Sequence, residues 1–351
     1  MATKKRHHYI PRFYLKRFSI NNEGKFIGLY NHKNNVFVEA APLRHQAYAN
    51  FLYGEDDEIE NALAEMENIV ARMFHYWTEE KLFHLPFPDS AAFKLLKRFI
   101  LYQAFRTPKA GSQLMTTVNE GMKIILKEIK PDLWKELESG VLVHKNPVLL
   151  SLTNSIEHED LLNFLDCKFI VNLSELPIIS SDNPVIFYNH LMESAGNYIG
   201  ATGLVAKGLQ IFYPIHPRLI ICLYDPKIYS LVDAKVDCCS TESIEDIHQL
   251  NALQFINSDS QLFFDDLVSE EYILHLCKEY NGYKNFPTHV NSLIKEGSRK
   301  LFFTGSNDPH INLNLSFFKL LVNASDYKNN FVPLRSPLFE RPVRKNIHFD
   351  L

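Results

Sequence analysis

The stretch GLQIFYPIHPRLIICLYD, residues 208–225, decides the architecture. Two apolar and aromatic runs of high β propensity flank a corner marked by Pro214 and Pro217, so the text reads as a pair of strands joined there. Neither run approaches the ~18 uninterrupted apolar residues of a membrane span. Upstream, LDCKFIVNL (165–173), PIISS (177–181) and PVIFY (184–188) read as further strands, and Ile156–Leu165 as a helix before them. Downstream, Ser240–Asn257 and Asp266–Tyr280 read as helices and LFFTG (301–305) as a strand. The tail SPLFERPVRKNIHFDL (336–351) is interrupted by proline and is expected to lie across the surface.

Before about residue 150 the period changes. Ile59, Leu63, Met66, Val70, Met73 and Trp77 recur at helical spacing from about Asp56 onward, with Asp56 and Asp57 favourable at the N-terminal end. A second helix runs from about Ser90 through Phe93, Leu96, Phe99 and Ile100 to Arg106. It is expected to stop at Thr107-Pro108, because proline disfavours the helical region for the residue before it. Met115–Ile129 and Asp132–Ser139 read as two more helices, the latter begun by Pro131. KFIGLYNHKNNVFVEA (25–40) reads as a β-hairpin turning at His32-Lys33-Asn34-Asn35. The first ten residues read as extended, with Pro11 after them. The class is therefore α+β: a mainly helical N-terminal half packed on a mixed or antiparallel sheet with helices in the C-terminal half. A lobe of residues 1–150 (basic-aromatic segment, hairpin, helices) and an α+β lobe of residues 151–351 follow, either separate or continuous.

The 351 residues are 46% hydrophobic and 13% aromatic, which excludes a disordered chain. A net charge of -4 gives no global reason to bind nucleic acid. That balance is a cancellation of separate blocks. Lys4, Lys5, Arg6, Arg12, Lys16 and Arg17 open the chain, interleaved with His7, His8, Tyr9, Phe13, Tyr14 and Phe18. Residues 55–67, EDDEIENALAEME, carry only acids among their charges. Cys167, Cys222, Cys238, Cys239 and Cys277 are odd in number and form no CxxC. Free thiols in a reducing cytoplasm follow, with Cys167 and Cys222 as buried apolar residues. Neither HExxH, a Walker loop, GxGxxG nor GxSxG occurs, which argues against a zincin, a nucleotide-driven motor, a Rossmann enzyme and a standard serine hydrolase.

Several polar residues sit where packing would prefer none. Glu60 and Glu67 are seven apart, about two helical turns, and share one stripe at the border of the apolar face. Such a pair can offer metal ligands or an acid/base set, or it can be the solvated side of an acidic helix. Gln103 falls within the apolar stripe of the second helix, with Arg106 at its edge. A buried guanidinium demands an acidic or anionic partner, for which Glu60, Glu67, Asp182 and a ligand phosphate all qualify. Ser181-Asp182-Asn183-Pro184 forms a turn between strands, where sheets also present catalytic carboxylates.

RHHYIPRFYLKRFS (6–19) resembles the opening of a bacterial family known as domain of unknown function 4238, with its HY-x-P-x-F-Y-L-x-x-F pattern at His8, Tyr9, Pro11, Phe13, Tyr14, Leu15 and Phe18. IENALAEME, LYQAFRTP, IISSDNPV and FYPIHPRLIICLY resemble later family motifs in the right order. Among them are Glu60, Glu67, Gln103, Arg106, Asp182 and Asn183; His216 departs from the family's small polar residue, and HQLN near Asn251 resembles a later Asn-bearing helix. The family name carries no activity, and its genomic habit resembles that of bacterial defence genes. The resemblance implies that His8, Glu60, Glu67, Gln103, Arg106 and Asp182 form a catalytic set. Glu67 and Asp182 would hold Mg²⁺ or Mn²⁺, Arg106 would stabilise developing negative charge, and the outcome would be a metal-dependent phosphodiester hydrolase, a nuclease of phage defence. Arg6, Tyr9, Arg12, Asn183 and Asn251 would bind substrate, with the basic-aromatic opening steering a nucleic acid or nucleotide. The alternative is a non-catalytic binding or regulatory protein whose polar set is a buried structural network.

Overall fold

The computed structural model describes residues 5–55, 57–132, 145–196, 200–284, 290–296, 299–305 and 310–323. Its centre is the strand pair expected from the sequence. Strand β8 (Gln210–His216) and β9 (Leu219–Tyr224) pair antiparallel, with a register shift between Pro214 and His216 at the corner. They lie inside a five-stranded sheet with β5 (Asp166–Asn172), β7 (Ile186–Tyr188) and β11 (Cys238–Thr241), in the order β11-β5-β9-β8-β7. The sheet is mixed, because β11 runs parallel to β5 and the other neighbours are antiparallel.

Side chains alternate across a strand, and here both faces are buried. Ile211, Tyr213, Ile215, Leu219, Ile221 and Leu223 pack into one core. Phe212, Ile220, Cys222 and Tyr224 pack into a second core on the other side. That double burial is why the pair reads as a continuous apolar run rather than an alternating one.

The first core is covered by helices of the N-terminal half. Helix α2 (Glu58–Thr78) buries Leu63, Met66, Val70, Phe74 and Trp77, and α3 (Ala91–Phe105) buries Phe93, Leu96, Phe99 and Ile100. Ser90 caps α3 by accepting from the Phe93 amide. Helix α7 (Ile244–Asn257) and α8 (Glu270–Lys284) cover the second core.

A four-stranded sheet completes the frame, in the order β3-β2-β12-β6. The hairpin β2 (Phe26–Asn31) and β3 (Val36–Pro42) turns over residues 32–35 as expected. Its partners β12 (Gln261–Phe264) and β6 (Ser180–Ser181) come from beyond residue 150.

Several boundaries differ from the sequence reading. The second helix stops before Thr107-Pro108 as expected, but Pro108 at once begins the next: α4 runs Pro108–Ile129, not from Met115, with Thr107 as its cap and Pro108 at its first position, where a missing N–H costs nothing. Gly111 lets α4 approach α5 (Pro147–Ile156), since a Cβ there would meet the Val148 nitrogen at 2.8 Å. The helix expected over Ile156–Leu165 is a 3-10 segment at Glu159–Phe164, and the α-helix there, α5, lies before it and ends at Ile156. Ser240 and Thr241 belong to β11, so the next helix starts only at Ile244 behind its Ser243 cap. The last expected helix is α8, beginning at Glu270. LFFTG lies in β14 (Arg299–Gly305), paired with β13 (Val290–Glu296). Most of the helix expected over Asp132–Ser139 and the whole tail 336–351 fall outside the described residues. No helix among the described residues is long and apolar enough to cross a membrane.

The basic-aromatic opening is docked, not projecting. Strand β1 (Arg6–His8) pairs antiparallel with β4 (Tyr48–Asn50). Ile10, Tyr14, Leu15 and Phe18 are fully buried. Tyr14 stacks on Tyr213 at 5.2 Å between centroids and bonds Ser180 Oγ at 2.8 Å. Even Arg17 is buried, its guanidinium donating to the Thr78 hydroxyl and to the Phe13 and Ala71 carbonyls, and burial pushes its pKa down to about 10.

Candidate functional site

The site is built around the corner between α3 and α4. Pro108 forces Thr107 out of the helix (φ -87, ψ 152), and the chain turns there. Arg106, the residue before it, closes α3 and is almost wholly buried. Its Nη1 donates to Glu67 Oε1 at 2.6 Å, and its Nε and Nη2 donate to Gln103 Oε1 at 3.0 and 2.6 Å. The Gln103 amide in turn donates to the Tyr9 carbonyl at 2.9 Å. The guanidinium face lies over the Phe99 ring, 5.7 Å from its centroid. Burial works against the charge on Arg106, and Glu67 together with Tyr53 and Tyr213 more than offsets it, so the guanidinium titrates above its ordinary range.

Two further expected residues border this knot. His8 tilts against Tyr48, and its Nε2 is buried with no hydrogen-bond partner. Burial pushes the His8 pKa down, as do the charges of Arg12, Arg6 and Arg106, while a hydrogen bond to the Arg44 backbone acts the other way. Glu60 sits near Tyr53, whose pKa is raised by burial and by both Glu60 and Glu67, with Arg106 pulling it back. Tyr213 Oη, also affected by the charges of Arg106 and Glu67, is buried without a partner.

Asp182 has a different task. Its Oδ1 accepts from the Asp259 amide at 2.7 Å, and its Oδ2 accepts from the Ser260 amide, the Ser260 hydroxyl and the Gln261 amide at 2.7, 2.9 and 2.9 Å. It clamps the turn between α7 and β12. Burial pushes its pKa up against the pull of those donors. Asn183 ties this turn to the α3–α4 corner: it accepts from the Thr107 hydroxyl at 2.8 Å, and its carbonyl accepts from the Asn257 amide at 2.6 Å. Tyr9 joins the two regions, because Asp182 and Asp259 add to burial in raising its pKa. Asn251 lies apart from both, in the second core, holding the Ile179 amide and the Pro177 carbonyl. Arg6 and Arg12 remain exposed, Arg6 packed over Tyr48 at 4.8 Å.

The donor set for a metal does not assemble from these residues. Both Asp182 oxygens are occupied by the turn they hold, and Glu67 Oε1 serves Arg106. Among the described residues no three His, Cys, Asp or Glu side chains form a group that could hold an ion.

Beside the corner opens a cleft of about 730 Å³. Its walls include Phe105 and Phe187, Asn183 and Asn257, and three lysines: Lys33, which pairs with Asp259, and Lys109 and Lys284. Nothing local in the sequence marks Lys109 or Lys284. Lys109 is one more cation on an amphipathic helix, and Lys284 is a last-turn lysine 175 positions later.

A family model described as a protein of unknown function (DUF4238) matches residues 6–267. The chain belongs to this family. No curated protein and no solved structure matches it. The DUF4238 match spans β1, the Arg106 knot, the Asp182 turn and β12, and it stops before α8 and Lys284.

Proposed function

We propose that this DUF4238 chain is a binding or regulatory protein for a small molecule, seated in the cleft beside the α3–α4 corner. Glu67, Gln103, Arg106, Asp182 and Asn183 then form the frame that fixes the cleft wall. The observation that carries this reading is the completeness of the frame. Arg106 has a carboxylate and an amide, Asp182 has four donors, and the corner between them is bolted by Thr107 to Asn183. The cavity next to the frame lies within the range of small-molecule sites, roughly 300–1,000 Å³. The free cysteines support a reducing cytoplasm as its location.

A hydrolase at the Arg106 knot, such as a bacterial nuclease of phage defence, is the second reading. His8 Nε2 and Tyr213 Oη favour it, because both are buried and unpartnered near Arg106. The docked opening leaves Lys5, Arg6, Arg12 and Lys16 exposed as its contribution to a nucleic-acid surface.

One experiment separates the two. Wild type, Glu67→Gln and His8→Ala are incubated with RNA and DNA, with and without Mg²⁺ or Mn²⁺, while melting temperature is followed against a panel of small metabolites. A ligand that raises the melting temperature of all three proteins, with no cleavage by any, is the expected result. Cleavage by wild type that is lost in His8→Ala establishes the hydrolase instead.

A further inference from the structure

Lys109 and Lys284 converge on one end of α7. Lys109 Nζ donates to the Asn257 carbonyl at 2.6 Å. Lys284 Nζ donates to the Ser258 carbonyl at 2.8 Å and to its hydroxyl at 3.2 Å, and sits 4.8 Å from the Phe255 ring centroid. The C-terminal end of a helix attracts cations, which explains why one lysine is tolerated there. It does not explain two. Each ammonium carries three donors, and among the described residues these contacts leave two on Lys109 and one on Lys284 for the cleft that both line.

Among the described residues no carboxylate bonds to either ammonium, although the charges of Asp182 and Asp259 favour both. Asp182 is committed to the amides of 259–261, and Asp259 Oδ1 pairs with Lys33 Nζ at 2.9 Å. His32 is no acceptor of charge either: its Nε2 meets Ser258 Oγ at 2.9 Å, and burial with the nearby lysines pushes its pKa down to about 4. Burial pushes Lys109 down to about 8. Burial, with the repulsion of Lys109 next, pushes Lys284 down to about 7. Two ammonium groups without a carboxylate of their own are matched by one dianion and only half matched by a monoanion. Across the same cleft, Phe105 and Phe187 meet edge to face at 6.3 Å and offer an apolar wall.

We propose that Lys109 and Lys284 form the seat for a phosphate group, and that the cleft takes a small phosphate monoester whose organic body lies toward Phe105 and Phe187. This inference rests on the binding reading of the cleft. The volume suits a ligand of mononucleotide size, with Asn183 and Tyr283 as neutral polar groups in the wall.

The test is calorimetric titration of the full chain with adenosine monophosphate, ribose 5-phosphate, adenosine and succinate, with sulfate as competitor. The expected result is binding of both phosphates, adenosine weaker than its monophosphate by about tenfold or more, and displacement by sulfate. Lys109→Met and Lys284→Met each weaken the monophosphate by about tenfold or more, while Lys284→Arg retains most of the affinity. Lys33→Met, whose amine serves Asp259 at the rim, changes it by less than about threefold. Circular dichroism melts confirm that each variant is folded, and a variant that fails to fold is replaced by its glutamine counterpart. Equal binding of adenosine and its monophosphate, or indifference to the lysine variants, overturns the phosphate seat and leaves the cleft as a binding site. Binding of succinate but of neither phosphate does the same. Absence of heat with every compound overturns both readings. Lysine-dependent binding of 5′-phosphorylated RNA or DNA without binding of the monophosphates overturns the small-ligand class.

Discussion

Arg106 and Lys109 are three residues apart and flank one corner, yet they live in opposite circumstances. Arg106 is buried, faces a carboxylate and shares a side-chain amide that is itself anchored to the Tyr9 backbone. Among the described residues Lys109 has a single hydrogen bond, to the carbonyl of Asn257, and it lines a cleft. A cation bound to a carboxylate and a side-chain amide of its own is part of the structure. A cation held only by a helix end, with donors to spare, is available to a ligand. The family motif marks the first and passes over the second.

The largest effect expected from this contrast is in stability. Arg106→Met strands Glu67 and Gln103 and is expected to cost about 3–5 kcal/mol in urea unfolding, because it breaks a buried pair by removing one partner. Lys109→Met is expected to stay within about 1 kcal/mol. Equal losses at the two positions would erase the distinction. An intermediate effect is expected at the corner itself. Thr107→Val removes both the cap on the Ala110 amide and the bond to Asn183, costing about 1–2 kcal/mol, whereas Ser90→Ala loses a cap alone and costs about 1 kcal/mol. The smallest effect is in pH. Both cleft lysines titrate below free lysine, so above about pH 7 the unfolded chain binds more protons than the folded one, and stability rises with pH. The groups facing them are Lys33, Asp182, Asp259 and His32, the last pushed down to about 4 and so neutral over this range. The rise ends near pH 8.5, where unfolded cysteines ionise but Cys167, Cys239 and Cys277 do not, being pushed up to about 12 by burial. Urea midpoints at about pH 7 and about pH 8 read the slope, and the Lys109→Met/Lys284→Met double variant is expected to flatten it.

What could be read from the sequence follows distance along the chain. The β8–β9 pair, the hairpin and helices α2 and α3 are written in local periodicity, and the structure contains all of them. Gln103 and Arg106 stood out because a polar residue on an apolar stripe is a local anomaly that demands a partner, and Glu67 was among those named. Pro108 marks the end of α3 legibly, but proline also favours the first position of a helix, and the immediate start of α4 behind the Thr107 cap is the half that the text does not announce. Strand β11 was hidden since its partner β5 lies some seventy residues earlier. The task of Asp182 was invisible for the same reason: a strand-end aspartate can serve chemistry or hold a turn, and its donors at 259–261 are long-range neighbours. The lysine pair joins α4 to α8, and no window on the sequence contains both.

Tyr14 gives the docked opening a consequence in time. Its ring lies on Tyr213 and its hydroxyl on Ser180, so this segment waits for partners made some two hundred positions later. Closing so long a loop carries a large entropy cost before any contact repays it. Helices α2 and α3 supply part of the core that Ile10, Tyr14, Leu15 and Phe18 enter, but the face that β8 and β9 contribute is missing until then. A chain cut short of β8 therefore leaves Tyr14 without its stacking partner.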